Sequence, residues 1–108
     1  MRRRVVVTED AHRDLAQIYD YIADNDSILQ AERSMDRLVE AAASLAQNAE
    51  RGSRPRELLA FGFREYRQIV LKPWRMIYEV EASRVIVYVI ADGRRDMRTL
   101  LAQRLLGA

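Results

Sequence analysis

Residues 85–91 are apolar at every position, the longest uninterrupted apolar run in this chain. A strand of this kind is usually buried on both faces and therefore lies in the interior of a sheet. Residues 74–80 carry an apolar side chain at every even position, which is the period of a strand with one apolar face. Residues 66–71 form a further strand before a turn at Pro73. Together these segments predict an antiparallel meander over residues 65–91.

The N-terminal half predicts one strand followed by two helices. Residues 5–7 are β-branched and form the strand, which is the expected second neighbour of the 85–91 strand. Thr8 is placed to cap the first helix, and Ser27 with Gln30 matches a capping box for the second. The two apolar faces recur at helical spacing and consist of Ala11, Leu15, Ile18 and Ile22, then Ala31, Met35, Leu38, Val39, Ala42, Leu45 and Ala46.

The remaining segments complete a single α+β domain over residues 1–108. Gly52 and Pro55 end the second helix and begin a loop that leads into the meander. A short amphipathic helix is expected at the C-terminus, with Met97, Leu100, Leu101 and Leu105 as its apolar residues. The predicted order is β-α-α-β-β-β-α, with the two long helices packed on the sheet as an antiparallel hairpin.

Composition excludes several kinds of active site. The chain has no cysteine, so it has neither a disulfide scaffold nor a cysteine nucleophile. It lacks a glycine-rich phosphate loop, a zinc-protease helix motif and a serine-hydrolase motif, and its one histidine, His12, is expected on the surface. No cofactor and no metal are therefore expected. No apolar segment is long enough for a signal peptide or a membrane span, which predicts a cytoplasmic protein.

Charge divides the chain into two halves. Residues 1–50 carry six Lys/Arg against ten Asp/Glu, a net −4, whereas residues 51–108 carry twelve against six, a net +6. Such a bipolar chain suggests that its C-terminal half contacts something anionic.

Arginines follow the last predicted strand. Arg94, Arg95 and Arg98 enter the final helix at its N-terminus, where cations oppose the helix dipole. One interpretation is that these guanidinium groups, with the free helix N–H groups, bind an anionic partner. The other is that Asp92 and Asp96 neutralise them locally. The sequence leaves both open.

Four groups of residues, taken in their order along the chain, are informative together. They are Thr8, Ala11, Asp14, Leu15, Ile18, Tyr21 and Ile22; then Arg51, Gly52, Leu58, Gly62 and residues 65–67; then residues 74–80; and finally residues 85–96 with Leu100, Leu101 and residues 104–106. In this order and at this chain length they resemble the RelE/ParE superfamily of bacterial toxins from toxin–antitoxin pairs. The resemblance runs nearly end to end and implies the fold that periodicity predicts.

The resemblance implies one of two targets. RelE-type members cut mRNA in the ribosome by promoting attack of a ribose 2′-OH on the adjacent phosphate, whereas ParE-type members inhibit DNA gyrase. Arg67, Arg75 and Arg95 lie where RelE-type members carry basic residues. Two other expected groups are absent: the position of a second lysine falls near Gln68 or Ile69, and that of a C-terminal tyrosine falls near Leu101. Because arginine is a poor proton acceptor near neutral pH, the proton acceptor of an RNase is missing.

These departures favour a ParE-like gyrase inhibitor that acts by binding protein and is not an enzyme. Its expected target contacts are the C-terminal arginines Arg94, Arg95, Arg98 and Arg104. A ribosome-dependent endoribonuclease that uses Arg67, Arg75 and Arg95 remains the alternative. A degenerate toxin that only binds an antitoxin is the third possibility.

The resemblance also implies a protein partner, a small dimeric ParD-like antitoxin. An apolar helix of that partner is expected in a groove on the helical hairpin, and an extended segment can add to the sheet edge. The expected antitoxin contacts are Leu15, Tyr19, Ile22, Met35 and Leu38. Neither a membrane nor a small-molecule substrate is expected.

Overall fold

The computed structural model describes residues 2–107. Over that range the elements are β1 (Arg4–Val7), α1 (Glu9–Asn25), α2 (Ile28–Ser44), α3 (Arg56–Ala60), β2 (Tyr66–Leu71), β3 (Trp74–Val80), β4 (Arg84–Asp92) and α4 (Met97–Leu105). A single 3₁₀ turn, Ala49–Arg51, lies between α2 and α3. The predicted α+β order of strand, helical hairpin, meander and C-terminal helix is confirmed. No helix in the described range is long and apolar enough to cross a membrane.

The four strands form one sheet in the order β1-β4-β3-β2. β1 is parallel to β4, with Val5 opposite Val85, and β3 is antiparallel to both β2 and β4. The prediction that the apolar strand lies between β1 and β3 is therefore confirmed.

Both long helices begin where the sequence predicts. The Thr8 hydroxyl accepts a hydrogen bond from the Ala11 N–H at 3.1 Å, and the Ser27 hydroxyl accepts one from the Gln30 N–H at the same distance. Each cap satisfies one N–H that lacks a partner inside the first helical turn.

A β-bulge at Tyr88 sets which face of the sheet each later residue of β4 occupies. Ile77 lies opposite Val89 whereas the next residue, Tyr78, lies opposite Val87, so Tyr88 is the additional residue. Val87 consequently packs in the core formed with α1 and α2, and Val89 packs in a second core formed with α3 and α4. Helices on both faces explain why the strand is apolar throughout.

The segment between α2 and β2 contains structure that the sequence prediction missed. Residues 52–65 were expected to form a loop, but they include α3, whose Leu58 is completely buried. The buried Tyr78 hydroxyl also fixes the preceding turn, because it donates to the Ala49 carbonyl at 2.6 Å and accepts from the Gly52 N–H at 3.1 Å. These contacts come from a strand far along the chain, which local sequence patterns do not reveal.

Candidate partner-binding groove

β4 has an open edge beyond the end of β1. β1 pairs with β4 only as far as Val87, and the Thr8 N–H then donates to the Val87 carbonyl at 3.1 Å as the chain enters α1. Next to this edge lies a groove of about 400 Å³, here called the α1–β4 groove. Its walls are mostly apolar and its lining includes Ile18, Tyr21, Ile22, Trp74, Arg94 and Arg95.

An internal ion pair closes part of the same edge. The Ile90 N–H donates to a carboxylate oxygen of Asp14 at 2.9 Å. Arg104 donates to both oxygens of Asp14, at 2.9 and 3.0 Å, and to the Tyr88 carbonyl at 2.9 Å. The hydrogen bond to Asp14 raises the pKa of Arg104 above its usual range. Arg104, a predicted target contact, thus joins α1, β4 and α4.

The other arginines near the last turn have different partners. Arg94 donates to the Asp92 carboxylate through Nε and Nη2, which lowers the pKa of Asp92. Asp96 caps α4, because its carboxylate accepts from the Thr99 N–H at 3.1 Å and from the Thr99 hydroxyl at 2.8 Å, and these bonds lower its pKa. Arg95 is exposed and forms no ion pair within residues 2–107.

Two interpretations of Arg94, Arg95 and Arg98 were open. Within the described residues, local neutralisation by an aspartate applies to Arg94 alone. Asp92 pairs with Arg94, whereas Asp96 is occupied by the helix cap. Arg98 points elsewhere, with its guanidinium carbon 5.5 Å from the centre of the Phe61 ring. The groove rim thus presents Arg95 beside the partly neutralised Arg94.

The five residues predicted to bind an antitoxin do not share one surface. Leu15, Ile22 and Met35 are half-buried and pack against the core, and of these three only Ile22 also lines the α1–β4 groove. Leu38 belongs to that core and is only 1% exposed. Tyr19 is half-buried and lies outside the groove lining.

The sequence analysis did not predict that Tyr21, the most exposed aromatic side chain of the groove, belongs to a candidate binding site. Tyr21 leaves 69% of its surface exposed, and Trp74 from β3 contributes the opposite wall. The signal for Tyr21 was present, because an aromatic residue off the apolar stripe of α1 has no internal packing to explain it.

Two arginines suggested for RNA cleavage are engaged inside the protein. Arg67 donates to the carbonyls of Glu50 and Gly52, at 3.2 and 2.9 Å. Arg75 makes two hydrogen bonds of 2.8 Å to Glu57 and one of 2.7 Å to the Gln68 side chain. The bonds from Arg75 lower the pKa of Glu57. Both guanidinium groups thus hold the segment around α3 against the sheet.

The tyrosines of the sheet do not replace the missing proton acceptor. Burial raises the pKa of Tyr78, whose hydroxyl is occupied by two backbone hydrogen bonds. Burial and a hydrogen bond to Glu79 raise the pKa of Tyr88 to about 12. Both hydroxyls therefore stay protonated near neutral pH. No group of side chains suited to a metal ion occurs within residues 2–107.

A four-stranded sheet with a helical hairpin on one face is the fold that the RelE/ParE resemblance implies. The model of the ParE toxin of type II toxin–antitoxin systems, parDE, matches residues 5–97. The chain therefore belongs to the ParE toxin family, and the predicted ParE-like branch is confirmed.

A solved structure supports the same assignment of fold. The chain is similar to a protein of the chromosomal ParDE TA system from P. aeruginosa, with a TM-score of 0.71 and 24% sequence identity. The similarity covers 83% of this chain and 95% of that one. A comparison with curated protein sequences gives no match.

Proposed function

We propose that this chain is a toxin that inhibits DNA gyrase through protein contacts and is neutralised by a cognate ParD-like antitoxin. The observation that carries the choice of gyrase is the internal use of Arg67 and Arg75. An RNase needs cations directed at the scissile phosphate and a group that accepts the 2′-OH proton. Here the two arginines stabilise α3 and its flanking turn, and both Tyr78 and Tyr88 keep their protons.

The α1–β4 groove is the proposed antitoxin site. Ile18, Ile22 and Trp74 line the groove with apolar surface, beside the end of β4 that β1 does not cover. Arg94 and Arg95 at the rim favour a segment that carries carboxylates. A segment of this kind covers the exposed Arg95. If that arginine contacts the target, one binding event both attaches the antitoxin and blocks the toxin.

The proposal is tested with purified protein in two parallel assays. We expect inhibition of DNA supercoiling by gyrase, or accumulation of cleaved DNA–gyrase complexes, and no cleavage of mRNA on translating ribosomes. Cleaved mRNA together with unaffected gyrase would establish the ribonuclease alternative and overturn the proposal.

Expression in cells separates an active toxin from a degenerate one. We expect growth arrest without the antitoxin and normal growth when the antitoxin is co-expressed. Normal growth in the presence of folded, antitoxin-binding protein would show a module that only sequesters the antitoxin.

A further inference from the structure

The turn after α3 presents two aromatic rings to solvent. Phe61 and Phe63 each leave 36% of their surface exposed. Between them, Gly62 has a φ of 88° and no heavy atom within 4 Å of the position of a Cβ, so the turn projects from the surface. The N–H groups of Phe61 and Phe63 both donate to the Leu58 carbonyl, at 3.1 and 2.9 Å. These bonds fix the backbone of the turn, to which both rings are attached, relative to α3.

Three arginines belong to this turn or contact it, since Arg64 directly follows Phe63. The Arg98 guanidinium carbon lies 5.5 Å from the centre of the Phe61 ring, and Arg54 donates a hydrogen bond to the carbonyl of Arg64. No ion pair in residues 2–107 involves any of the three, although Arg75, Arg94 and Arg104 all have carboxylate partners. The aromatic–arginine patch is the set Arg54, Phe61, Phe63, Arg64 and Arg98.

We propose that the aromatic–arginine patch binds single-stranded nucleic acid. Exposed aromatic rings stack with unpaired bases, and neighbouring guanidinium groups bind the phosphates that link those bases. The patch stands on a projecting turn. A base can stack on a projecting ring without further shape complementarity, whereas a protein partner needs a matching concavity.

This patch and the α1–β4 groove are separate surfaces. The patch is built from the segments that flank α3 and from Arg98 of α4, whereas the groove lies against α1. Nucleic acid binding here goes beyond gyrase inhibition and requires neither gyrase nor antitoxin. If the patch does not bind nucleic acid, the proposed gyrase inhibition is unaffected. If the chain does not inhibit gyrase, the proposed nucleic acid binding is unaffected.

The purified chain is titrated into fluorescein-labelled oligothymidylate, and binding is measured by fluorescence anisotropy. We expect F61A and F63A each to weaken binding by about tenfold, the usual loss when an aromatic partner of one base is removed. R64A should reduce the slope of log affinity against log salt by about 0.7, the contribution of one phosphate contact to a single strand.

Three control variants isolate the chemistry. F61L/F63L keeps apolar surface but removes both planar rings, so it should lose as much affinity as F61A/F63A. R33A removes an exposed arginine from α2, and V39A removes an exposed apolar side chain there, so both should bind nearly as the parent does. Circular dichroism checks that each variant is folded.

A matching duplex and an oligouridylate complete the titrations. Weaker binding to the duplex is expected, because its bases are already stacked. Equal affinity for both single strands would show that the patch recognises bases and phosphates without regard to the sugar. Tighter binding to oligothymidylate would show a preference for single-stranded DNA. The proposal is overturned if the duplex binds as tightly as the single strand, if F61L/F63L retains parental affinity, or if the parent chain does not bind.

Discussion

At the scale of single residues, the arginines of this chain have different roles that their sequence positions do not reveal. Arg75 and Arg104 each bind a carboxylate within the fold, whereas Arg67 binds backbone carbonyls. Arg95 and Arg98 form no ion pair within the described residues. A half-buried guanidinium group that joins separate elements is a poor candidate for a partner contact, since binding elsewhere would leave its buried partners unpaired. The exposed pair of Arg94 with the neighbouring Asp92 does not carry this cost.

Gly52 is required because two oxygen atoms occupy the space of a side chain. A Cβ at this position would lie 2.3 Å from the Tyr78 hydroxyl oxygen and 2.5 Å from the Gln68 carbonyl oxygen. The φ of Gly52 is −74°, so the restriction is spatial and does not arise from backbone conformation. We expect G52A to lower the free energy of unfolding by about 3 kcal/mol, measured by urea denaturation.

The double variant G52A/Y78F tests that cause. Removing the Tyr78 hydroxyl relieves one of the two clashes, so the double variant should lose less stability than the sum of the single variants. S53A, an exposed change at the next position, is the matched control and should be near neutral. Additive losses in the double variant would exclude the hydroxyl as a cause.

The Glu57–Arg75 pair makes stability depend on pH. The pKa of Glu57 is lowered in the folded protein, so its contribution is complete above the unfolded value near 4.5 and is lost as the pH falls through the folded value. We expect E57Q to lose about 2 kcal/mol at pH 7. Between pH 5 and the folded pKa of Glu57, E57Q should lose less further stability than the parent.

Urea denaturation over a series of pH values measures both effects. E65Q changes an exposed carboxylate on the segment before β2 and is the matched control. The prediction would be wrong if E57Q and E65Q had the same stability profile, because Glu57 would then make no special contribution.

At the scale of elements, an ion pair between α1 and α4 binds backbone groups on the edge of β4 that a neighbouring strand would otherwise bind. Asp14 and Arg104 are 12% and 21% exposed, and together they bind the Ile90 N–H and the Tyr88 carbonyl. R104A leaves the Asp14 carboxylate without its cation and the Tyr88 carbonyl without the hydrogen bond that Arg104 donates. We expect a loss of about 3 kcal/mol in the free energy of unfolding.

Toxicity measured beside stability separates the structural role of Arg104 from target contact. R104A and D14A should lower the melting temperature together and reduce toxicity only to the extent that folded protein is lost. Full stability with abolished toxicity in R104A would instead make Arg104 a target contact.

The elements that the sequence predicted are those with local signals. Thr8 and Ser27 identify the starts of α1 and α2, and apolar periodicity identifies β3 and the interior position of β4. α3 spans only Arg56–Ala60, too short to be stable alone, and Arg75 from β3 holds it in place. A helix that depends on a distant strand leaves no periodic pattern in its own residues.

The candidate site was predicted less completely for the same reason. Ile22, Arg94 and Arg95 were predicted from α1 and from the last turn, and the fold brings them to one groove. Trp74 lies on the apolar face of its strand and belongs to the core, as that position indicates, with only 8% of its surface exposed, and this remaining surface lines the groove. Its position at the end of β3, next to the open edge of β4, depends on topology.

At the scale of the whole molecule, the split in charge has a structural counterpart. The net-positive C-terminal half supplies Arg94 and Arg95 at the groove and Arg64 and Arg98 at the aromatic–arginine patch. The net-negative N-terminal half supplies α1, which forms the other wall of the groove. A partner in the groove therefore contacts both halves of the chain.

The rim arginines are expected to carry toxicity. We expect R94A/R95A to abolish growth arrest while the protein stays folded, because both side chains lie at the surface. Growth curves and circular dichroism of the purified variant measure the two effects. R33A, an exposed arginine on α2, is the control and should remain toxic, whereas full toxicity of R94A/R95A would exclude the rim as a target contact.

The groove should allow antitoxin binding to be separated from toxicity. Tyr21 is the most exposed aromatic side chain lining the groove and belongs to neither hydrophobic core. We expect Y21A to weaken antitoxin binding by about tenfold or more, since a large aromatic contact is removed from the interface. Because Arg94 and Arg95 are unchanged, the variant should still arrest growth, now in the presence of antitoxin levels that neutralise the parent. Calorimetric titration measures the affinity, and V39A on α2 should bind as the parent does. Parental affinity in Y21A would show that the antitoxin binds elsewhere on the hairpin.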